Sequence, residues 1–274
     1  MSFHDVIKAA NLFDKANVVG YESELVNRYR NGVEVPDEKV LRVYVSKKLP
    51  VSALSYKNMV PVTLDGAYTD VVQIDVQSIL NDPFPPEFRQ QAHSTLQAGI
   101  SIAHVKVTAG TLAAAVRGVK GRPDAGTQYI LSNNHVLSNS VSVIASDRAK
   151  EGDTITQPGP ADIERVLHRG VEPNDLAARL ARFIPFDPSR PNKVDAAIAT
   201  PTRLALDGAT IGFEEINYLE GVADPEVGQV VRKSGRTTGV TKGQIVGISG
   251  AFKISYPGNI NVGDITVEFH DQIV

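Results

Sequence analysis

Two periodicities alternate along the first eighty positions. Val6, Ile7, Ala10 and Phe13 fall at helical spacing with His4, Asp5, Lys8 and Asp14 between them, which predicts an amphipathic helix over 4–16. Val40-Leu41-Arg42-Val43-Tyr44-Val45 is rich in β-branched and aromatic residues and predicts a strand. Asp70–Val76 predicts another, with Asp65 and Gly66 supplying the turn before it. Pro83-Phe84-Pro85-Pro86 then interrupts the pattern as a linker would. Residues 1–95 are therefore expected to form a small α/β domain with its linker.

From about residue 97 the texture changes to short apolar runs separated by Gly and Pro. Thr111–Arg117 and Gln128–Leu131 flank a glycine-rich loop and predict a hairpin. Further strands are expected at Ser142–Ala145, Thr154–Gln157, Ile163–Leu167 and Ala196–Ala199. One inserted helix is expected: Asn174 can cap it, Leu176, Leu180 and Phe183 lie at i, i+4 and i+7, and Pro185, Pro188 and Pro191 stop it. A second series of strands is expected at Gln229–Lys233, Gly243–Gly247, Phe252–Ser255 and Ile265–Phe269. Evenly spaced short strands favour a barrel or sandwich over a βαβ fold. The expectation is a mainly β protein, with a first β-barrel at 96–205 and a partial second barrel at 206–274. Three or four strands do not close an antiparallel barrel, and an open edge invites pairing with another segment.

Composition narrows the function classes without choosing among them. Hydrophobic residues make up 42% and charged residues 22% of the 274 positions, ordinary values for a globular protein. With 28 basic against 31 acidic residues the net charge is −3, which gives no reason to expect nucleic acid or an anionic membrane as partner. The chain has no cysteine, so disulfides and thiolate metal sites are excluded. The first residues carry charge where a signal peptide needs an apolar core, and no run reaches the ~20 apolar residues of a membrane span. A soluble, cytoplasmic protein is expected.

The chemistry concentrates in Ile130-Leu131-Ser132-Asn133-Asn134-His135-Val136-Leu137, where an apolar run delivers a histidine among polar neighbours. His135 is the candidate general base. His4, His93, His104, His168 and His270 lack such surroundings and are read as structural. Asp195, opening the apolar run Val194-Asp195-Ala196-Ala197-Ile198-Ala199, is the candidate carboxylate to orient that base, since a partly buried carboxylate needs a partner. A strand-end cap or a salt bridge would explain the aspartate equally well. Asp162 is the competing acid, and its Pro/Gly surroundings favour a turn-capping role. Neither a P-loop, an H-E-x-x-H pair nor a G-x-G-x-x-G fingerprint occurs, so no cofactor or metal is expected.

Gly110-Thr111-Leu112, the segment ending in His135, Gly152-Asp153 with Gln157-Pro158-Gly159, the segment around Asp195, and Lys233-Ser234-Gly235-Arg236-Thr237-Thr238-Gly239 together resemble trypsin-like serine peptidases of the chymotrypsin clan. The likeness is to the subgroup with an N-terminal α/β region, which includes the plant narrow-leaf type peptidase and bacterial relatives. It covers roughly 97–274 and is weaker upstream. The resemblance implies a double β-barrel, a peptide or protein substrate, His135 as general base and Asp195 as its orienting partner. It also implies a nucleophile in a Gly-Asp-Ser-Gly segment, which does not occur in these 274 residues. Gly247-Ile248-Ser249-Gly250 imitates it but reads as a turn between strands, and Ser234 reads as framework. The serine is therefore expected beyond Val274. Three explanations stay open: one piece of a nicked peptidase that binds its own serine-bearing fragment, a chain truncated before the serine, or a degenerate relative kept for binding. Val274 does not fit self-cleavage of trypsin-like specificity. The rival from another class is an inactive trypsin-like module with a protein-binding or regulatory role.

Overall fold

The structure is a computed structural model that describes residues 10–30, 33–74, 77–78, 85–139, 149–163, 174–202, 205–210, 219–256 and 265–274. The expected strand at Ser142–Ala145, nearly all of that at Ile163–Leu167, the first half of the expected helix over 4–16, and His4 and His168 lie outside the described residues. In chain order the strands begin with β1 (Val18–Glu22), β2 (Val26–Arg30), β3 (Val33–Val45), β4 (Thr63–Leu64), β5 (Ala67–Gln73) and β6 (Gln77–Ser78). A single helical turn, α1 (Pro86–Arg89), leads to β7 (Thr95–Ala98), β8 (Ser101–His104), β9 (Gly110–Thr111), β10 (Ala114–Arg117) and β11 (Gln128–Ser132). After a second turn, α2 (Asn134–Leu137), come β12 (Thr154–Gln157), β13 (Asn174–Phe183), β14 (Ala197–Pro201) and β15 (Ala205–Thr210). The last four are β16 (Val230–Gly235), β17 (Gly239–Gln244), β18 (Gly250–Tyr256) and β19 (Ile265–Gln272).

The chain is mainly β, and its two seven-stranded sheets curl into half-barrels. One runs β10-β11-β14-β13-β12-β8-β9. Its end strands are joined by Leu112 and Ala113, whose N–H groups donate to Ile100 O and Leu131 O at 2.9 Å each, so the path curves back on itself. Inside lie Ile102, Leu112, Ile130, Ile155, Ala178, Leu180 and Ala199, all buried. The expected hairpin forms, with Ala114–Arg117 paired to Gln128–Leu131.

Residues 174–183 form a strand, not the expected helix. Alanine, leucine and arginine favour helix locally, but β12 and β14 flank this segment and take its backbone hydrogen bonds on both edges. Ala178 and Leu180 point inward while Arg179 is exposed between them, and a register shift between Leu180 and Arg182 turns Arg182 outward as well.

The other half-barrel runs β19-β18-β1-β3-β5-β4, with β2 beside β3. Its core holds Leu12, Tyr21, Leu41, Val43 and Ala251. Within the expected helix over 4–16, the described part is a 3-10 turn at Leu12–Asp14. Asp65 (φ 47°) and Gly66 (φ 80°) make the two-residue turn between β4 and β5, where two successive positive φ angles match the twist of a hairpin. The late strands divide: β18 hydrogen-bonds to β1 and β19, whereas β16 and β17 form a hairpin beside β6. Buried Glu22 accepts hydrogen bonds from Tyr44 Oη and from the N–H and Oγ of Ser249, which ties the segment before β18 to β1 and β3. Among the described residues no helix is long and apolar enough to cross a membrane.

Candidate functional site

His135 and Asp195 meet because β11 and β14 are antiparallel neighbours. Ser132, the last residue of β11, pairs with Ala197, the first residue of β14. The three residues after one and the two before the other are thereby delivered to the same end of the sheet. Ser132 Oγ donates to Thr111 O at 2.6 Å and pins the exit of β11. Asn133 is extended, and its carbonyl accepts the N–H groups of Val136 and Leu137 at 3.1 and 3.0 Å, which starts α2. Asn134, Val136 and Leu137 are buried, so this turn is anchored on three residues and leaves His135 facing outward. Gly110 makes room for it: a Cβ there would run into the Val136 methyl groups.

The imidazole Nδ1 is hydrogen-bonded to Asp195 Oδ2, and the His135 backbone N–H donates to Asp195 Oδ1 at 3.2 Å. Asn133 Nδ2 donates to the Asp195 carbonyl at 3.2 Å. A carboxylate acceptor at Nδ1 places the proton there, so the lone pair lies on Nε2. Among the described residues Nε2 has no hydrogen-bond partner, and the His135 side chain is 37% exposed against 12% for Asp195. An imidazole held in one tautomer, with its second nitrogen open among the described residues, can accept a proton from a group outside it.

Two aromatic residues complete the surroundings. Tyr256, at the end of β18, donates from Oη to Asp195 Oδ2 at 3.2 Å. Its ring lies 5.2 Å from the His135 ring and 5.0 Å from Phe186, which packs edge-on against Phe269. Burial first, and then the charge and hydrogen bond of Asp195, push the Tyr256 phenol well above its ordinary pKa, so it stays protonated and donates. Sequence reasoning missed Tyr256 and Phe186. Neither carries a local signal, because an aromatic residue at a strand end or in a proline-rich connection reads as packing.

The other candidates are placed elsewhere. Asp162 is fully buried and accepts from Ser101 Oγ at 2.6 Å and from Arg236 Nε at 2.7 Å, so a hydroxyl and an ion pair, rather than the expected turn cap, occupy its carboxylate. Ser249 is bound to Glu22, and the Ser234 hydroxyl accepts from Arg89. The segment Gly247–Gly250 connects strands of two different sheets. Among the described residues no group of three or more His, Cys, Asp or Glu is placed to hold a metal ion. Compared with known proteins, the chain matches no family model and no curated protein.

Proposed function

We propose that this chain carries the general base and orienting carboxylate of a trypsin-like serine endopeptidase, with the nucleophilic serine supplied from outside these 274 residues. The finer architecture, a chymotrypsin-like double barrel, belongs to the same proposal. The observation that carries it is the bond from His135 Nδ1 to Asp195 combined with an open Nε2. The serine hydroxyl attacks the substrate carbonyl and gives its proton to Nε2, while Nδ1–H stays on Asp195. The tetrahedral species collapses as the C–N bond breaks, and Nε2 returns the proton to the leaving amine. Water then hydrolyses the acyl-enzyme by the same exchange. Asp195 fixes the tautomer and stabilises the imidazolium; it does not itself take the proton.

The test is fluorophosphonate labelling of the protein as produced in its native host. His135→Ala abolishes labelling, and Asp195→Asn slows it by about 10⁴-fold because the wrong tautomer is then favoured. Undiminished labelling of His135→Ala overturns the proposal. A natively produced protein that takes no label, with the His135–Asp195 bond intact, leaves the non-catalytic interaction module in its place.

A further inference from the structure

The carboxylate of Asp195 receives three hydrogen bonds, and they come from both half-barrels. The His135 backbone N–H holds Oδ1, while Oδ2 is shared between His135 Nδ1 and the phenol of Tyr256. His135 and Asp195 follow and precede strands of one sheet, whereas β18, which carries Tyr256, belongs to the other. We propose that Tyr256 is a positioning residue for the His135–Asp195 pair: its hydroxyl fixes the carboxylate and its ring closes one face of the imidazole. The inference rests on the peptidase reading of the site and adds to it a residue outside the base and its carboxylate.

Three features give the tyrosine this role. A carboxylate that is only 12% exposed keeps little water, so an oxygen without a second donor would be free to turn toward solvent. The Tyr256 ring lies between the imidazole and Phe186, with tilts of 44° and 28°. A histidine that is 37% exposed is thus held against a surface rather than free to change rotamer. Finally, Tyr256 pairs with Ile265 across β18 and β19, and Ile265 is buried beside Val267 and Phe269, so the phenol is presented by a packed strand pair and not by a loop.

A phenol that donates to Oδ2 also draws negative charge away from the imidazole. Removing only the hydroxyl should make the carboxylate a stronger partner for imidazolium. The experiment is NMR of His135 in the 274-residue chain, assigned by difference with His135→Gln, and followed at the ring carbons and at the Nδ1 proton. Tyr256→Phe keeps the ring and is expected to shift the Nδ1 proton resonance, because the carboxylate that accepts it has lost its competing donor. A role in packing alone predicts no movement, so an unchanged resonance overturns the inference. Asp195→Asn separates the two levels. If it moves the Nδ1 proton resonance while Tyr256→Phe does nothing, Tyr256 is packing and the site stands. If Asp195→Asn also leaves His135 unmoved, the pair itself is refuted, and the role of Tyr256 with it.

Discussion

His104 lies on β8 with both ring nitrogens engaged: Nδ1 accepts the Lys106 N–H at 3.1 Å, and Nε2 faces Asp153 Oδ2 at 3.1 Å. His135 also faces an aspartate, yet it spends only Nδ1 and keeps Nε2 open among the described residues. The two histidines differ by one open nitrogen, and a residue list does not show it. His93 is a third case. Its Nε2 is bonded to Phe88 O at 2.9 Å and its ring packs edge-on against the Phe88 ring. Burial lowers its pKa below the ordinary 6.5, while the Phe88 carbonyl works the other way. The unfolded chain therefore takes up this proton first, so the His93 contribution is complete above about pH 6.5 and is lost as pH falls through the window below it. Urea denaturation at neutral and mildly acid pH should show a smaller acid loss in His93→Gln than in the unsubstituted chain. An equal loss in both would place the acid sensitivity in the carboxylates instead.

Strands announced by β-branched runs were legible: Thr154–Gln157 coincides with β12, and Val40–Val45 forms the inner half of β3. The errors follow from pairing that sequence cannot display. Residues 174–183 look helical until β12 and β14 claim both edges. The expected strand at Gly243–Gly247 is displaced to Gly239–Gln244, because Arg236-Thr237-Thr238 forms the turn of the hairpin and the pairing starts at once, Gly235 opposite Gly239. The contact of His135 with Asp195 is foreshadowed by the apolar run beside each. That of Tyr256 with Asp195 is not, since it depends on which sheet β18 joins. The turn α2 offers a test of how an element sets the site. Gly110 on β9 lies against Val136, so Gly110→Ala has to displace the turn that carries His135. If His135 is the base proposed, the fluorophosphonate labelling rate of the natively produced protein should fall by about 10- to 100-fold, as expected when a reacting group is moved by a fraction of an ångström to 1 Å. Shortening the opposing side chain in Gly110→Ala/Val136→Ala should recover most of it. A double variant as slow as the single one would show that Gly110 acts otherwise than by yielding space to α2.

Specific side-chain contacts join the two half-barrels and the β16–β17 hairpin. Tyr256 reaches from β18 to Asp195, and Phe186 packs edge-on against Phe269 of β19. Arg236, in the turn between β16 and β17, reaches Asp162, which follows β12, with both Nε and Nη2, and its backbone N–H donates to Thr111 Oγ1 at 3.0 Å. Asp162 is 1% exposed and Arg236 20% in their side chains, so the carboxylate is desolvated while the guanidinium keeps some water. A pair buried to this extent adds little net stability, but removing one member leaves the other charge unpaired. Asp162→Asn should therefore cost about 3 kcal/mol, the low end of the range for a broken buried pair because Arg236 keeps partial exposure. Asparagine still accepts from Ser101, so the loss isolates the ion pair. Adding Arg236→Gln to Asp162→Asn should cost far less than Arg236→Gln alone, and that inequality is the signature of direct coupling. Urea denaturation of the four proteins measures it. Amide exchange then locates the effect. If the pair is a latch, Asp162→Asn speeds exchange across β16 and β17 while β13 and β14, inside their own sheet, keep their protection. Uniform acceleration would instead make Asp162 a core residue of the half-barrel, and additive costs would remove the coupling on which the latch depends.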